Sequence, residues 1–251
     1  MKPYISVLPK QAGQYLACVV KNMSWSLETL GKVHSCYQEK FAVPRQPGLA
    51  PSAYATLELL PPYNLPECVE GLEAFSHLWV SFIFHQNLEQ GWKPKVRPPR
   101  LGGNKKVGVF ASRSTFRPNG LGLSVVKLEG IDLTSGVKLH LSGVDLIDGT
   151  PVVDIKPYIP WVDSQPSAVS TWAAEPPEQL TVSFSSKARQ QLADHLKGSK
   201  LKQLIIEVLA QNPRPAYQKI TTERIYGVKL ADLNVQFFYL DTKHLEVVAI
   251  Y

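Results

Sequence analysis

The chain has 251 residues, of which 44% are hydrophobic and 19% charged, and it carries a formal net charge of +6 with a pI near 9.1. That balance permits a sizeable core and excludes disorder as the default, and no apolar run approaches the roughly 20 residues of a membrane span. Cys18, Cys36 and Cys68 are odd in number and irregularly spaced, which points away from a disulfide framework or a zinc site and toward reduced thiols in a cytoplasmic protein.

Residues 1–22 show no clear period and no basic segment followed by an apolar one, so they are expected to be a variable extension and not a leader. Leu30 to Tyr37 alternates apolar and polar residues and predicts a first strand. Pro44, Pro47 and Gly48 then bracket Arg45 and Gln46, which removes backbone donors and predicts a stiff, turning loop that presents one guanidinium and one amide. Tyr54 to Leu60 predicts a second strand closed by Pro61-Pro62, and Leu65 to Ala74 a short helix. Phe75 to Phe84 predicts a buried strand, with His77 as a hydrogen-bonded core histidine. His85 and Gln86 stand where that strand stops, a common position for residues that line a site.

The densest chemistry lies between Arg97 and Leu123. Arg97, Arg100, Lys105, Lys106, Arg113 and Arg117 occur there with two Gly-rich turns and no acidic residue. The apolar run Val107 to Ala111 predicts a short buried strand with a cationic loop at each end. Such loops can converge backbone N–H groups and guanidinium forks on an anion. Together with the basic surplus, this favours an anionic partner such as nucleic acid.

Leu121 to Leu128 and Val137 to Leu141 predict strands joined through a turn at Thr134-Ser-Gly136. In Val144 to Tyr158, Asp145, Asp148 and Asp154 are spaced along an apolar background. Asp-Gly-Thr-Pro is an ordinary turn and the oxygen ligands of a calcium loop are missing, so hydrogen bonding is expected there and no metal. The Pro-, Ser- and Trp-rich stretch from Pro160 to Pro177 predicts a linker, placed at residues 163–178. Beyond it, Ser185 to Leu196 and Leu201 to Gln211 predict helices, and Ile225 to Leu230, Asn234 to Leu240 and Leu245 to Ile250 predict strands. The expected fold is therefore mainly β: a barrel-like domain over residues 23–162 followed by a small α+β domain over residues 179–251.

Gly120-Leu-Gly-Leu-Ser-Val125 lacks the third small residue of a dinucleotide fingerprint, and no Walker loop or metalloprotease motif occurs. Several long segments nevertheless resemble the TsaA-like family, the TrmO-type tRNA methyltransferases. They are Glu39 to Gly48, Gly71 to Trp79, Phe84-His-Gln86, Arg97 to Asn104, Gly108 to Asn119, Asp145 to Tyr158 and Glu207 to Tyr217. One departure is Gly120-Leu121 where the family commonly has Pro-Ile.

The resemblance implies a β-barrel, non-Rossmann methyltransferase that uses S-adenosyl-L-methionine and works as a homodimer. Its implied substrate is tRNA carrying N6-threonylcarbamoyladenosine 3′ of the anticodon, methylated at N6. Matched to the family's motifs, Arg45, Gln46, Pro47, Gly48, His85, Gln86, Arg113, Leu123 and Asp145, Leu146, Ile147 and Asp148 are expected at the cofactor. Arg100, Lys105, Lys106, Arg117, Asn119, Arg214 and Tyr217 are expected at the tRNA, with Arg117 and Asn119 the catalytic candidates. The sequence does not name the acceptor of the N6 proton. A tRNA-binding module without catalysis, and a methyltransferase for a small acidic metabolite, stand as alternatives.

Overall fold

Period-two burial organises the first half of the chain. In the computed structural model, which describes residues 26–215, 218, 220–221 and 224–251, the strands are β1 (Gly31–Ser35), β2 (Tyr54–Leu59), β3 (His77–Ile83), the two-residue β4 (Lys95–Val96) and β5 (Val107–Gly108), β6 (Leu121–Asp132), β7 (Lys138–Ser142) and β8 (Pro151–Pro157). Six of them close a barrel in the order β1-β2-β7-β6-β3-β8, while β4 and β5 form a separate ribbon. Val33, Leu57, Leu78, Val80, Leu139 and Leu141 point inward and are buried, each two residues from the next inward position of its strand, as the pleat demands. Gly122 sits in β6 for a steric reason. A Cβ there would lie 2.3 Å from Cζ of Phe82, so the ring fills the barrel only because the side chain is missing.

Three expectations change on inspection. Val107 to Ala111 is not one strand: β5 stops at Gly108, Val109–Ala111 forms a 3-10 turn, and of its residues only Val109 is buried. Leu65 to Ala74 is not one helix, because Gly71 at φ +81° interrupts it and leaves two 3-10 turns. His77 is half-buried at the start of β3, its Nδ1 2.9 Å from Ser76 Oγ, so it caps a strand end and does not sit in the core.

After the short α1 (Pro160–Asp163), the chain continues through β9 (Thr181–Phe184), α2 (Ser186–Ala193), α3 (Gly198–Ala210), β10 (Tyr226–Leu230), β11 (Leu233–Tyr239) and β12 (His244–Ile250). Ser185 caps α2, its Oγ accepting the Ala188 amide at 3.1 Å. The sheet order is β10-β11-β12-β9. β9, which the alternation pattern did not reveal, pairs parallel with β12. Leu201, Leu204, Ile205, Val208 and Leu209 recur at helical spacing and are buried along one face of α3.

The two units share one hydrophobic cluster. Polar bonds stitch the seam: the Ala231 amide donates to Cys36 O at 2.7 Å and the Lys229 amide to Glu39 Oε1 at 3.0 Å. Glu207 on α3 accepts the Ser52 amide at 2.7 Å and the Ser52 hydroxyl at 3.0 Å.

The α2–α3 junction is the tightest backbone approach in the second unit. A Cβ on Gly198 would meet the Leu192 carbonyl oxygen at 1.8 Å, and a backbone oxygen cannot swing aside as a side chain can. Gly198→Ala is expected to lower the urea midpoint by an amount equivalent to roughly 2 kcal/mol or more, the scale of overpacking. An unchanged midpoint in equilibrium unfolding would contradict this packing.

Candidate active site at one rim of the barrel

Every pairing in the barrel is antiparallel. Strands β1, β3 and β7 therefore end at the same rim, where β2, β6 and β8 begin. The loops at that rim are residues 36–53, 84–120 and 143–150, and they carry nearly all the residues that the sequence marked. The alternating direction of six strands is thus what gathers segments more than a hundred residues apart.

The first and third loops cross at two glycines. Gly48 N donates to Gly143 O at 2.8 Å, and Gly143 N donates to Ala53 O at 2.8 Å. Both glycines have positive φ, +76° and +65°, which a side chain would strain. This crossing sets Gln46-Pro47-Gly48 beside Asp145. The second loop supplies Arg113, whose Nη1 donates to Gln46 Oε1, and whose charge acts on Asp145.

Asp145 and Asp148 occupy one loop but have different surroundings. Asp145 Oδ1 accepts the hydroxyl of buried Ser124 at 2.7 Å. Burial pushes its carboxyl from the ordinary 3.8 up to about 6, against the opposing pull of the Ser124 bond and of Arg113. Asp148 Oδ1 instead accepts the Ser35 amide at 2.9 Å, and its own amide donates to Tyr37 O at 2.8 Å, so it fastens the loop to the end of β1. Leu146, 1% exposed, anchors the loop in the core, while Ile147 O accepts both the amide and the hydroxyl of Thr150.

His85, from the second loop, comes up to the far end of this one, its Nε2 4.0 Å from where a Cβ on Gly149 would stand. Burial, with Lys40 nearby, holds its pKa below the ordinary histidine value against a hydrogen bond to the Ile83 backbone. Lys40 Nζ donates to Gln86 O at 2.6 Å. Gln46, Arg113, Asp145, His85 and Gln86 thus form one connected rim, with Arg45 exposed at its edge. Leu123 is 55% exposed on the outer face of β6.

The residues marked for tRNA are spread more widely. Lys105, Lys106 and Asn119 are exposed. Arg117 Nη1 donates to Ser112 O at 2.7 Å and lies 3.4 Å from Val109 O, bracing the turn between them. Arg100 donates to the carbonyls of Ala173 and Glu175 and ties down the segment that leads to the second unit. Arg214 sits with its Cζ 5.7 Å from the Tyr239 ring. Tyr217 lies outside the described residues. Among the described residues no group of three or more His, Cys, Asp or Glu is placed to hold a metal ion.

Sequence reasoning missed Ser124, Ser35 and Lys40. A signal existed for Ser124, since it is the polar residue on the inward phase of β6. Ser35 contributes only its backbone amide and Lys40 reaches only a backbone carbonyl, and such groups leave no mark in composition.

The raised carboxyl of Asp145 has a consequence for stability. A folded pKa of about 6 against 3.8 means that the folded state holds this proton more tightly than the unfolded chain. The associated stabilisation is complete below the unfolded pKa and lost as pH rises through about 6. Relative to Asp145→Asn, the wild-type protein is expected to lose roughly 3 kcal/mol between about pH 3 and pH 7. Urea unfolding of both proteins across that range checks it, and parallel curves would show that the site is well hydrated.

Comparison with known proteins agrees with this arrangement. Residues 32–164 match the family described as tRNA-methyltransferase O N-terminal domain, and residues 177–251 match the TrmO C-terminal domain. The chain is 52% identical over 222 residues to tRNA (adenine(37)-N6)-methyltransferase of Escherichia coli, covering 87% of this chain and 94% of that protein. It is 53% identical over 221 residues to RcsF of Pseudomonas aeruginosa, provisionally named an S-adenosylmethionine-dependent methyltransferase, with coverage of 86% and 94%. The crystal structure of TrmO from Pseudomonas aeruginosa superposes with a TM-score of 0.76 at 43% identity, over 91% of this chain and 99% of that one. A closed antiparallel barrel with a glycine-crossed rim and a docked α+β unit, matched over both parts, places this chain in the tRNA-methyltransferase O (TrmO) family.

Proposed function

We propose that this protein transfers a methyl group from S-adenosylmethionine to N6 of N6-threonylcarbamoyladenosine at tRNA position 37, acting in the cytoplasm as a homodimer. The observation that carries the reading is the meeting of Arg113, Gln46 and Asp145 at one rim. Asp145 offers a carboxylate to an ammonium or to ribose hydroxyls, and Arg113 offers a guanidinium to a carboxylate, which suits both ends of an amino-acid-bearing nucleoside. Arg45, Pro47, Gly48, His85, Gln86 and Leu123 complete the cofactor surroundings, while Leu146, Ile147 and Asp148 hold the loop that carries Asp145. Bound S-adenosylmethionine supplies the methyl group as an electrophile. The protein's own task is to hold the acceptor nitrogen in line with it, where positioning contributes most of the rate.

Lys105, Lys106, Arg117 and Asn119 line the approach to the rim, Arg214 extends it onto the second unit, and Tyr217 is assigned to the same tRNA surface by its motif alone. Phosphate contacts from such cations position an RNA, and ring stacking reads a loop base. Residues 23–162 form the methyltransferase unit, 163–178 the linker and 179–251 the unit that adds the tRNA surface. Leu121 and Leu123, 37% and 55% exposed on β6, give a second copy an apolar strip to cover.

The test is mass spectrometry of nucleosides from tRNA incubated with protein and cofactor. A methylated threonylcarbamoyl nucleoside is expected from tRNA that carries the modification, and no product from tRNA that lacks it; equal methylation of both would refute the substrate. Arg113→Ala is expected to weaken cofactor binding in calorimetry about tenfold or more, the scale of a lost charge-assisted hydrogen bond. The double variant Lys105→Ala, Lys106→Ala should leave that affinity alone. It should reduce the slope of log tRNA affinity against log salt by about 2, one per phosphate contact.

A further inference from the structure

The basic segment between Trp92 and Arg117 exposes aromatic rings as well as cations. Phe110 is 76% exposed and Trp92 56% exposed. A lone exposed ring is ordinary; what singles out Phe110 is how firmly it is held and what surrounds it. It sits in the 3-10 turn Val109–Ala111, whose first residue is buried as an anchor. Val109 O accepts the Ser112 amide at 3.2 Å and the Ser112 hydroxyl at 2.8 Å. From the other side, Arg117 Nη1 donates to Ser112 O at 2.7 Å, with its Cζ 5.9 Å from the Phe110 ring centroid. Pro94 O accepts the Val109 amide at 3.1 Å, so Trp92-Lys93-Pro94 runs alongside the turn.

The ring is therefore presented to solvent on a turn whose backbone is already fixed, with little left to order on binding. Its surroundings are cationic. No acidic residue occurs between Glu89 and Glu129, and among the described residues none of Lys93, Lys95, Lys105, Lys106 or Arg117 takes part in an ion pair. Exposed aromatic rings set among unpaired cations match the surface of unstacked nucleic acid, in which π-faces alternate with phosphates. A second copy seated symmetrically on this patch would instead bring its cations against their own equivalents.

We infer that Phe110 is a stacking platform for an unpaired base of the substrate RNA, next to the adenine that is modified. The inference rests on the tRNA reading above and adds a base-contacting residue to the basic loop of the barrel. Lys93, whose Nζ stands 3.9 Å over the Phe116 ring, and Arg117 supply the phosphate contacts on either side of it.

The test uses the full chain and a synthetic anticodon stem-loop RNA in fluorescence anisotropy. Phe110→Ala is expected to weaken binding about tenfold, the scale of one lost base stack. The slope of log affinity against log salt should stay unchanged, because no phosphate contact is removed. Phe110→Trp should restore affinity and Phe110→Leu should not, since leucine keeps the apolar area and loses the π-face. Cofactor affinity by calorimetry and the urea midpoint should match wild type in all three variants. Wild-type affinity in Phe110→Ala or in Phe110→Leu would overturn the platform. So would a shift from dimer to monomer in sedimentation with RNA affinity per dimer unchanged, which would make the ring a self-contact. Failure of the wild-type protein itself to bind the stem-loop would overturn the tRNA reading and the platform with it.

Discussion

The site exists because two loops cross at a point where neither carries a side chain. The Gly48 amide donates to Gly143 O at 2.8 Å, and a Cβ on Gly143 would stand 3.6 Å from the Gly48 Cα. The steric room is ordinary; the backbone conformation is not, since both residues occupy the left-handed region that other residues enter at a cost of about 1 kcal/mol or more. Without that crossing, Gln46 and Asp145 would hang from separate hairpins. Arg113 would then have one partner or the other, and the rim would be three loops in place of one surface.

The crossing is clamped from outside by α3. Glu207 takes both donors of Ser52, and Gln211 Nε2, one helical turn later, donates to Leu49 O at 3.2 Å. Gln203 Nε2 holds the same Glu207 carboxylate from one turn earlier, at 2.8 Å. The segment 49–53 is thus fixed by the second unit on one face and by Gly143 on the other. Since α3 ends at Ala210 and the chain then passes to Arg214, the element that steadies segment 49–53 also leads into the arginine proposed for the tRNA. Rotation of α3 would disturb both, which gives the two-part architecture a mechanical reason to be one body.

How much of this was legible in the sequence depended on the range of the interaction. The barrel strands were legible because half-buried antiparallel strands alternate, and Val33, Leu57 and Leu139 mark the inward phase without ambiguity. β9 was not, because four residues paired in parallel with a partner more than sixty residues later leave too short a pattern. Val107 to Ala111 misled for a related reason: a run of apolar residues cannot announce that Gly108 ends the pairing and that Phe110 faces solvent. For the site, motif resemblance named Gln46, Arg113 and Asp145, but that Arg113 bonds Gln46, 67 residues before it, and acts on Asp145 is beyond the reach of any spacing rule.

Basic charge in a sequence is also not the same as basic surface in a structure. Arg100 and Arg117 spend guanidinium N–H groups on backbone carbonyls, one pinning the linker and the other a turn, whereas Lys105 and Lys106 keep theirs for solvent. A guanidinium can do both at once, because its remaining N–H groups and its undiminished charge still face outward. An ammonium bound to a carbonyl has less left to offer in direction. In this segment Arg100 and Arg117 therefore both shape the chain and carry charge, while Lys105 and Lys106 contribute charge alone. The same division operates among the carboxylates, where Asp148 is committed to the Ser35 amide while Asp145 takes the Ser124 hydroxyl and feels the charge of Arg113.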